Sequence, residues 1–100
     1  MDTFQVVAEP RRREILRLIW DEEKPASDIA SSFDITFGAV SQHLGVLHDA
    51  QLVTVRKDGN RRLYRADQDA LAPYKDILES MWKDTLQRLA DTIENEEHGT

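Results

Sequence analysis

Ile35-Thr36-Phe37-Gly38-Ala39-Val40-Ser41-Gln42-His43-Leu44-Gly45-Val46-Leu47-His48 decides how the rest of the chain is read. Val40, Leu44 and Leu47 recur at spacings of four and three, which marks one buried helix face, while Ser41, Gln42 and His43 fall outside that stripe. The polar face carries short hydrogen-bonding groups in place of the Glu and Lys of an ordinary solvated surface, so it is suited to touching something specific. Thr36 can cap the helix through its side-chain oxygen, which predicts a helix over about 36–49. Gly45 within it costs roughly 1 kcal/mol relative to alanine and implies either a close backbone approach or a bend.

Working outward toward the amino terminus, Ser27 is a candidate cap, Asp28 suits a positive helix end, and Ile29, Ala30 and Phe33 form a buried stripe. These predict a short helix over about 27–33. Only Asp34 and Ile35 separate it from Thr36, and two helices joined by so tight a turn make a helix-turn-helix, with Asp34 able to adopt left-handed backbone angles. Farther back, Phe4 and Val7 are i, i+3 partners on a short helix or arm that stops before Pro10. Pro10 then fits the first turn of a helix over about 10–22, with Ile15, Leu16, Leu18, Ile19 and Trp20 on a mostly apolar face. Its Arg11-Arg12-Arg13 run fits either a solvated face or contacts to phosphates. Asp21 to Pro25 reads as a connecting loop.

Toward the carboxyl terminus, Gln51 to Arg56 and Arg61 to Arg65 are rich in strand formers, and Asp58-Gly59 between them supplies the positive φ of a tight hairpin turn. Lys and Arg protect edge strands in general, but five basic residues over this hairpin exceed that need and point to a polyanion. From Asp67 onward the pattern becomes helical again, with Asp67 or Asp69 as caps and apolar residues at Leu71, Tyr74, Leu78, Met81, Trp82, Leu86, Leu89 and Ile93. Pro73 falls within the first turn or so, where it sets the start of a helix over about 68–94. So long a stripe on so small a domain cannot be buried against its own core alone. It therefore marks an interface, most simply with a second copy, to which Phe4 and Val7 would add.

With 100 residues and 40% apolar content the chain makes one domain, 1–100, with a modest core. Nothing approaches a membrane span, and Met1 to Gln5 lacks the features of a signal peptide, so a cytoplasmic location without membrane insertion is the default. The absence of cysteine excludes disulfides, thiolate metal sites and thiol redox sensing. The net charge of −6 is unevenly spread: residues 36–66 hold five basic side chains against Asp49 and Asp58, a balance of +3, whereas 67–100 hold three against nine acids, a balance of −6. The chain is electrically two-ended, one end fit for phosphates and the other for solvent or protein.

The assembled pattern is mainly α with a small β-hairpin wing, the hairpin lying between the fourth and fifth helices: a dimeric winged helix-turn-helix. It resembles the ArsR family of bacterial transcriptional repressors from about Phe4 to Leu89. The resemblance rests on Ala8-Glu9-Pro10-Arg11-Arg12-Arg13-Glu14-Ile15-Leu16, on Ser27-Asp28-Ile29-Ala30, on Val40-Ser41-Gln42-His43-Leu44 with Leu47, on Leu52-Val53, and on Asp58-Gly59-Asn60-Arg61-Arg62 with Tyr64. The chain departs from the family at Gln51, where glycine is usual and lets the helix end in a left-handed turn.

The resemblance implies a homodimer placing two recognition helices in successive major grooves of a palindromic double-stranded DNA operator, about 34 Å apart. Thr36, Phe37, Gly38, Ser41, Gln42 and His43 would face the groove, with Gln42 able to bond an adenine edge in bidentate fashion. Lys57, Asn60, Arg61 and Arg62 of the wing, about 53–66, would reach phosphates or the flanking minor groove. Repression or autorepression is the implied output. Many family members sense metals, but Ser27 to Phe33 offers no thiolate, Asp67 and Asp69 lack a histidine companion, and the long helix has no histidine before His98. No metal and no cofactor is expected, and the effector is left open. His48 reads as a helix carboxyl-terminal residue satisfying carbonyls. Ser41 and His43 point in different directions on a helix, so they make no nucleophile and base pair, and no enzyme activity is expected. Two alternatives stand: a metal-responsive repressor with non-cysteine ligands, and a winged helix used for protein binding through its acidic terminal helix.

Overall fold

A computed structural model describes residues 2–98; the side chains of residues 85, 88, 89 and 91–98 lie outside that description, and with them the interface expectation for Leu89. Six helices and a three-stranded sheet follow in the order α1 (Thr3–Ala8), α2 (Pro10–Leu18), β1 (Lys24–Pro25), α3 (Ala26–Ser31), α4 (Phe37–Asp49), β2 (Val53–Asp58), β3 (Arg61–Ala66), α5 (Gln68–Leu71) and α6 (Lys75–His98), with a 3-10 turn at Ala72–Tyr74. The winged helix-turn-helix read from the sequence is the fold. Ile15, Leu16 and Ile19 of α2, Ile29 of α3, and Val40, Leu44 and Leu47 of α4 meet in one core, closed by Leu52, Val53 and Ala66 at the base of the wing.

Helix ends follow the side chains that can close them. Asp2 and Gln5 cap α1 reciprocally, Glu9 accepts the Arg12 N–H at 2.9 Å at the start of α2, Thr36 accepts the Ala39 N–H at 3.1 Å, and Asp67 accepts the Ala70 N–H at 3.1 Å. Ser27 does not cap α3: that helix begins at Ala26, because Lys24 and Pro25 are drawn into a short strand opposite Tyr64 and Leu63. The segment expected as a loop thus adds a third strand, and β3 becomes the centre of the order β1-β3-β2. Proline costs nothing there because an edge position needs no N–H. For the same reason α2 stops at Leu18 rather than near 22: the Ile19 carbonyl accepts from Ala66 at 2.9 Å and the Trp20 carbonyl from the Gln68 side chain at 2.7 Å.

The turn between α3 and α4 is made without a left-handed residue at Asp34; among the described residues the only non-glycine with positive φ is Gln51, at 62°. Gln51 sits one residue past the carboxyl-terminal cap of α4, and its N–H and that of Leu52 reach back to the carbonyls of His48 at 2.9 Å and Leu47 at 3.0 Å. This is a Schellman closure that normally uses glycine. The exposed Gln51 carries the strain, so Gln51→Gly is expected to raise stability by about 0.5–1 kcal/mol, the left-handed penalty less the entropy of glycine. Urea denaturation read by circular dichroism would record it; an unchanged or lower midpoint would mean that Gln51 is not strained.

Pro73 divides the terminal helical segment instead of starting it. The Asp69 carbonyl, which Pro73 cannot serve, accepts from Ala72 at the end of α5, and the long helix begins only at Lys75. Burial corrects three interface assignments. Val7, Leu71 and Leu78 are buried in the chain's own core and have nothing left for a partner. Trp82 is also largely committed within the chain: it packs edge to face on Trp20 with ring centroids 5.4 Å apart, and its Nε1 donates to the Arg13 carbonyl at 3.1 Å. Tyr74 and Met81 are half-buried, while Phe4, Ile77 and Leu86 are exposed.

Candidate nucleic-acid interface

Core packing of Val40, Leu44 and Leu47 turns the opposite side of α4 outward. Thr36, Phe37, Gly38, Ser41 and Gln42 are exposed, and so are Gly45 and His48 farther along the same helix. Phe37 is 55% exposed, unusual for so large an apolar ring unless something covers it. The Thr36 oxygen is occupied as the cap acceptor, which leaves its O–H free to donate.

The wing stands beside this helix, and strand alternation sorts its charges. Val53, Val55 and Lys57 pair with Ala66, Tyr64 and Arg62, so these six share one face of the hairpin; Thr54, Arg56 and Asp58 pair with Arg65, Leu63 and Arg61 and share the other. On the second face two of the three guanidinium groups, those of Arg56 and Arg61, are spent locally. Arg56 holds Glu23 through two hydrogen bonds, one of them Nε to Oε2 at 3.2 Å, and Arg61 lies 3.6 Å from Asp58. Hydrogen bonding from Arg56, with its positive charge, keeps the Glu23 carboxyl below the ordinary glutamate range and raises Arg56 in return. On the first face Lys57 and Arg62 stand opposite each other without an ion pair to any described residue.

The helix and wing enclose two adjoining clefts. One, of about 360 Å³, runs between Phe37 and Ser41 on α4, Pro25 to Ser27, and Asn60 to Arg62. The other, of about 520 Å³, continues between Ser41, Gly45 and His48 on one side and Val55, Arg62 and Tyr64 on the other. Ser41, Arg62 and Tyr64 line both. Of the residues expected at the site, Phe37, Ser41, Asn60, Arg61 and Arg62 therefore come together at the clefts; Gly38 and Gln42 are exposed on α4 without lining them, and Lys57 is placed only by its shared hairpin face. Gly45, His48, Val55 and Tyr64 were missed as members of this surface. The first two were legible, since 41, 45 and 48 continue one helical face; Val55 and Tyr64 follow only from the strand register. His48 is exposed on that surface rather than turned back onto carbonyls.

His43 is not a groove-facing residue of the same kind. It is half-buried, with Nδ1 3.4 Å from the Arg12 Nη1 and 3.9 Å from the Glu9 carboxylate. Arginine can only donate, so the first contact needs the Nδ1 lone pair and puts the ring proton on Nε2; Glu9 at 3.9 Å is beyond hydrogen-bond reach. Arg12 is itself only 9% exposed, its Nε donating to the Val6 carbonyl at 2.7 Å and its Nη2 to the Gln5 carbonyl at 3.5 Å. One guanidinium thereby ties α1, α2 and α4 together. Of the Arg11-Arg12-Arg13 run, Arg11 alone is exposed, and Arg13 is turned onto the Ala8 carbonyl.

A helix-turn-helix whose second helix shows a polar face beside a basic β-hairpin defines a winged-helix DNA-binding protein. Comparison with known proteins narrows the class. Residues 9–55 match the arsR family of bacterial regulatory proteins. The HTH-type transcriptional regulator Rv2034 of Mycobacterium tuberculosis is 33% identical over 93% of this chain and 87% of its own length. A crystal structure described as a possible transcriptional regulator for arsenical resistance is 41% identical, covering 92% of this chain and 96% of the other, with a TM-score of 0.70. A homodimeric winged helix-turn-helix DNA-binding domain from Mycobacterium bovis, described as a possible ArsR-family regulator, is 25% identical over 81% of this chain and 75% of its own, with a TM-score of 0.69. The chain belongs to the ArsR family of DNA-binding transcriptional regulators. Among the described residues no three His, Asp or Glu side chains converge to hold a metal, and no helix is long and apolar enough to cross a membrane.

Proposed function

We propose that the protein is a homodimeric repressor that reads a two-fold symmetric operator in the cytoplasm, one α4 helix entering each of two successive major grooves about 34 Å apart. The observation that carries this reading is the shared surface of α4 and the wing, where Phe37, Ser41, Asn60 and Arg62 line one cleft. Gln42, exposed and unbranched, is suited to bidentate pairing with adenine, and Ser41 to a base edge or phosphate. Lys57 and Arg62 supply sequence-independent phosphate contacts. Dimerisation is supported by the exposed Phe4, Ile77 and Leu86 and by the homodimeric relative, and bound operator would exclude polymerase.

The two faces of the wing give the test its contrast. Arg62→Ala is expected to weaken binding uniformly across DNA sequences and to lower the slope of log affinity against log salt by about 1. Arg56→Ala, which removes a guanidinium already committed to Glu23, should leave that slope unchanged. Fluorescence anisotropy with a labelled duplex at several salt concentrations distinguishes the two. Equal affinity of the wild-type protein for its own upstream region and for random DNA at physiological salt would overturn the repressor reading.

A further inference from the structure

Gly45 lies in the middle of α4, and nothing among the described residues accounts for its being glycine. Its backbone is not in the left-handed region, which among the described glycines is adopted by Gly59 alone. A Cβ built on Gly45 meets no atom within 4 Å, so internal packing would admit a side chain. Helix propensity would favour one, because glycine is the least favourable residue in a helix interior after proline. The residue is exposed and lines the cleft opposite Val55, Arg62 and Tyr64. The destabilisation is therefore not offset inside the protomer, and the space over Gly45 opens toward the surface where DNA is read.

We infer that Gly45 is a specificity-determining position at which the bare backbone of α4 comes against base edges of the major groove, closer than any side chain would permit. Ser41, one turn earlier, lines the same cleft, so a methyl group at 45 would lift that part of the helix away and lengthen the hydrogen bonds made by its neighbours. Phosphate contacts from the wing lie across the cleft and would survive the displacement. Loss should fall on sequence-specific binding and spare binding to random duplex.

This inference rests on the DNA-binding reading of α4, and the experiment separates the two. A duplex is first enriched by the wild-type protein from a random-sequence pool, and Gly45→Ala and Gly45→Leu are then measured on that duplex and on unselected DNA. Both variants should melt higher than wild type, by about 4–8 °C for alanine, as helix propensity requires. Affinity for the enriched duplex should fall about tenfold for alanine and further for leucine, the scale of one base contact, with unselected DNA bound as before. A stabilised alanine variant that binds the enriched duplex as tightly as wild type overturns the inference while leaving DNA recognition intact. Failure of the wild-type protein to enrich any duplex overturns both.

Discussion

Ile77→Glu is expected to leave each protomer folded, convert the protein to a monomer and lower its apparent operator affinity by about 10²- to 10⁴-fold, the advantage gained when two linked binding modules engage together. The choice of residue follows from how α6 divides its apolar side chains. Leu78 and Trp82 turn inward onto the core and Trp20, and changing either would damage the protomer before it tested any interface. Ile77 is 44% exposed and lies one turn from the half-buried Met81, on the flank of α6 away from that packing. A charge there costs the isolated chain little and would be buried unpaired in a dimer, which is strongly unfavourable. Sedimentation velocity would show the monomer, and circular dichroism an unchanged helix content. Persistence of a dimer in the variant would remove Ile77 from the interface, and a monomeric wild type would end the dimer proposal.

The second large effect is expected at Arg12. Its guanidinium is buried at the joint of three helices, and Arg12→Ala would strand the carbonyls of Val6 and Gln5 and leave His43 without its contact. A charge-assisted hydrogen bond contributes about 1.5–3 kcal/mol and an unsatisfied buried group costs about 1–3, so a loss of about 3–4 kcal/mol is expected. At 4–8 °C per kcal/mol this lowers the melting midpoint by more than about 10 °C. Arg12→Lys keeps the charge but not the planar fork and should recover only part of it. A melt within about 2 °C of wild type for the alanine variant, on that same scale, would show that the guanidinium is dispensable. The companion variant His43→Gln retains an acceptor near Arg12. It should fold, and if His43 positions α4 rather than reading a base, its preference among operator sequences should match wild type even where overall affinity drops.

Much of this was legible in the chain because local signals agreed with one another. The stripe Val40, Leu44, Leu47, the cap at Thr36 and the Asp58-Gly59 turn each specify their element without reference to the rest, and each stands where expected. What escaped was set by contacts distant in sequence. Lys24 and Pro25 have no strand signal of their own and become a strand only because β3 offers an open edge. Arg12 looked like its neighbours Arg11 and Arg13, and only the path of α1 over α2 brings carbonyls to it. Apolar spacing found the stripe of the terminal helix but could not divide it between core and interface. Leu78 is wholly buried while its neighbour Ile77 is 44% exposed, a difference decided by which side of α6 meets α2. The basic side chains of the wing likewise look equivalent in sequence, and only strand register separates Lys57 and Arg62 from Arg56 and Arg61.

The chain has two tryptophans, and both meet where α6 crosses α2, with ring planes inclined at 73°. That gives the joint an intrinsic optical signature. Two indoles at 5.4 Å couple their electronic transitions, and Trp82 is further oriented by its bond to the Arg13 carbonyl. Near-ultraviolet circular dichroism and emission wavelength therefore report the seating of α6 with no label attached. Because the proposed dimer surface lies on the same helix, an effector that shifts α6 would announce itself as a change in that signal, before its chemistry is known.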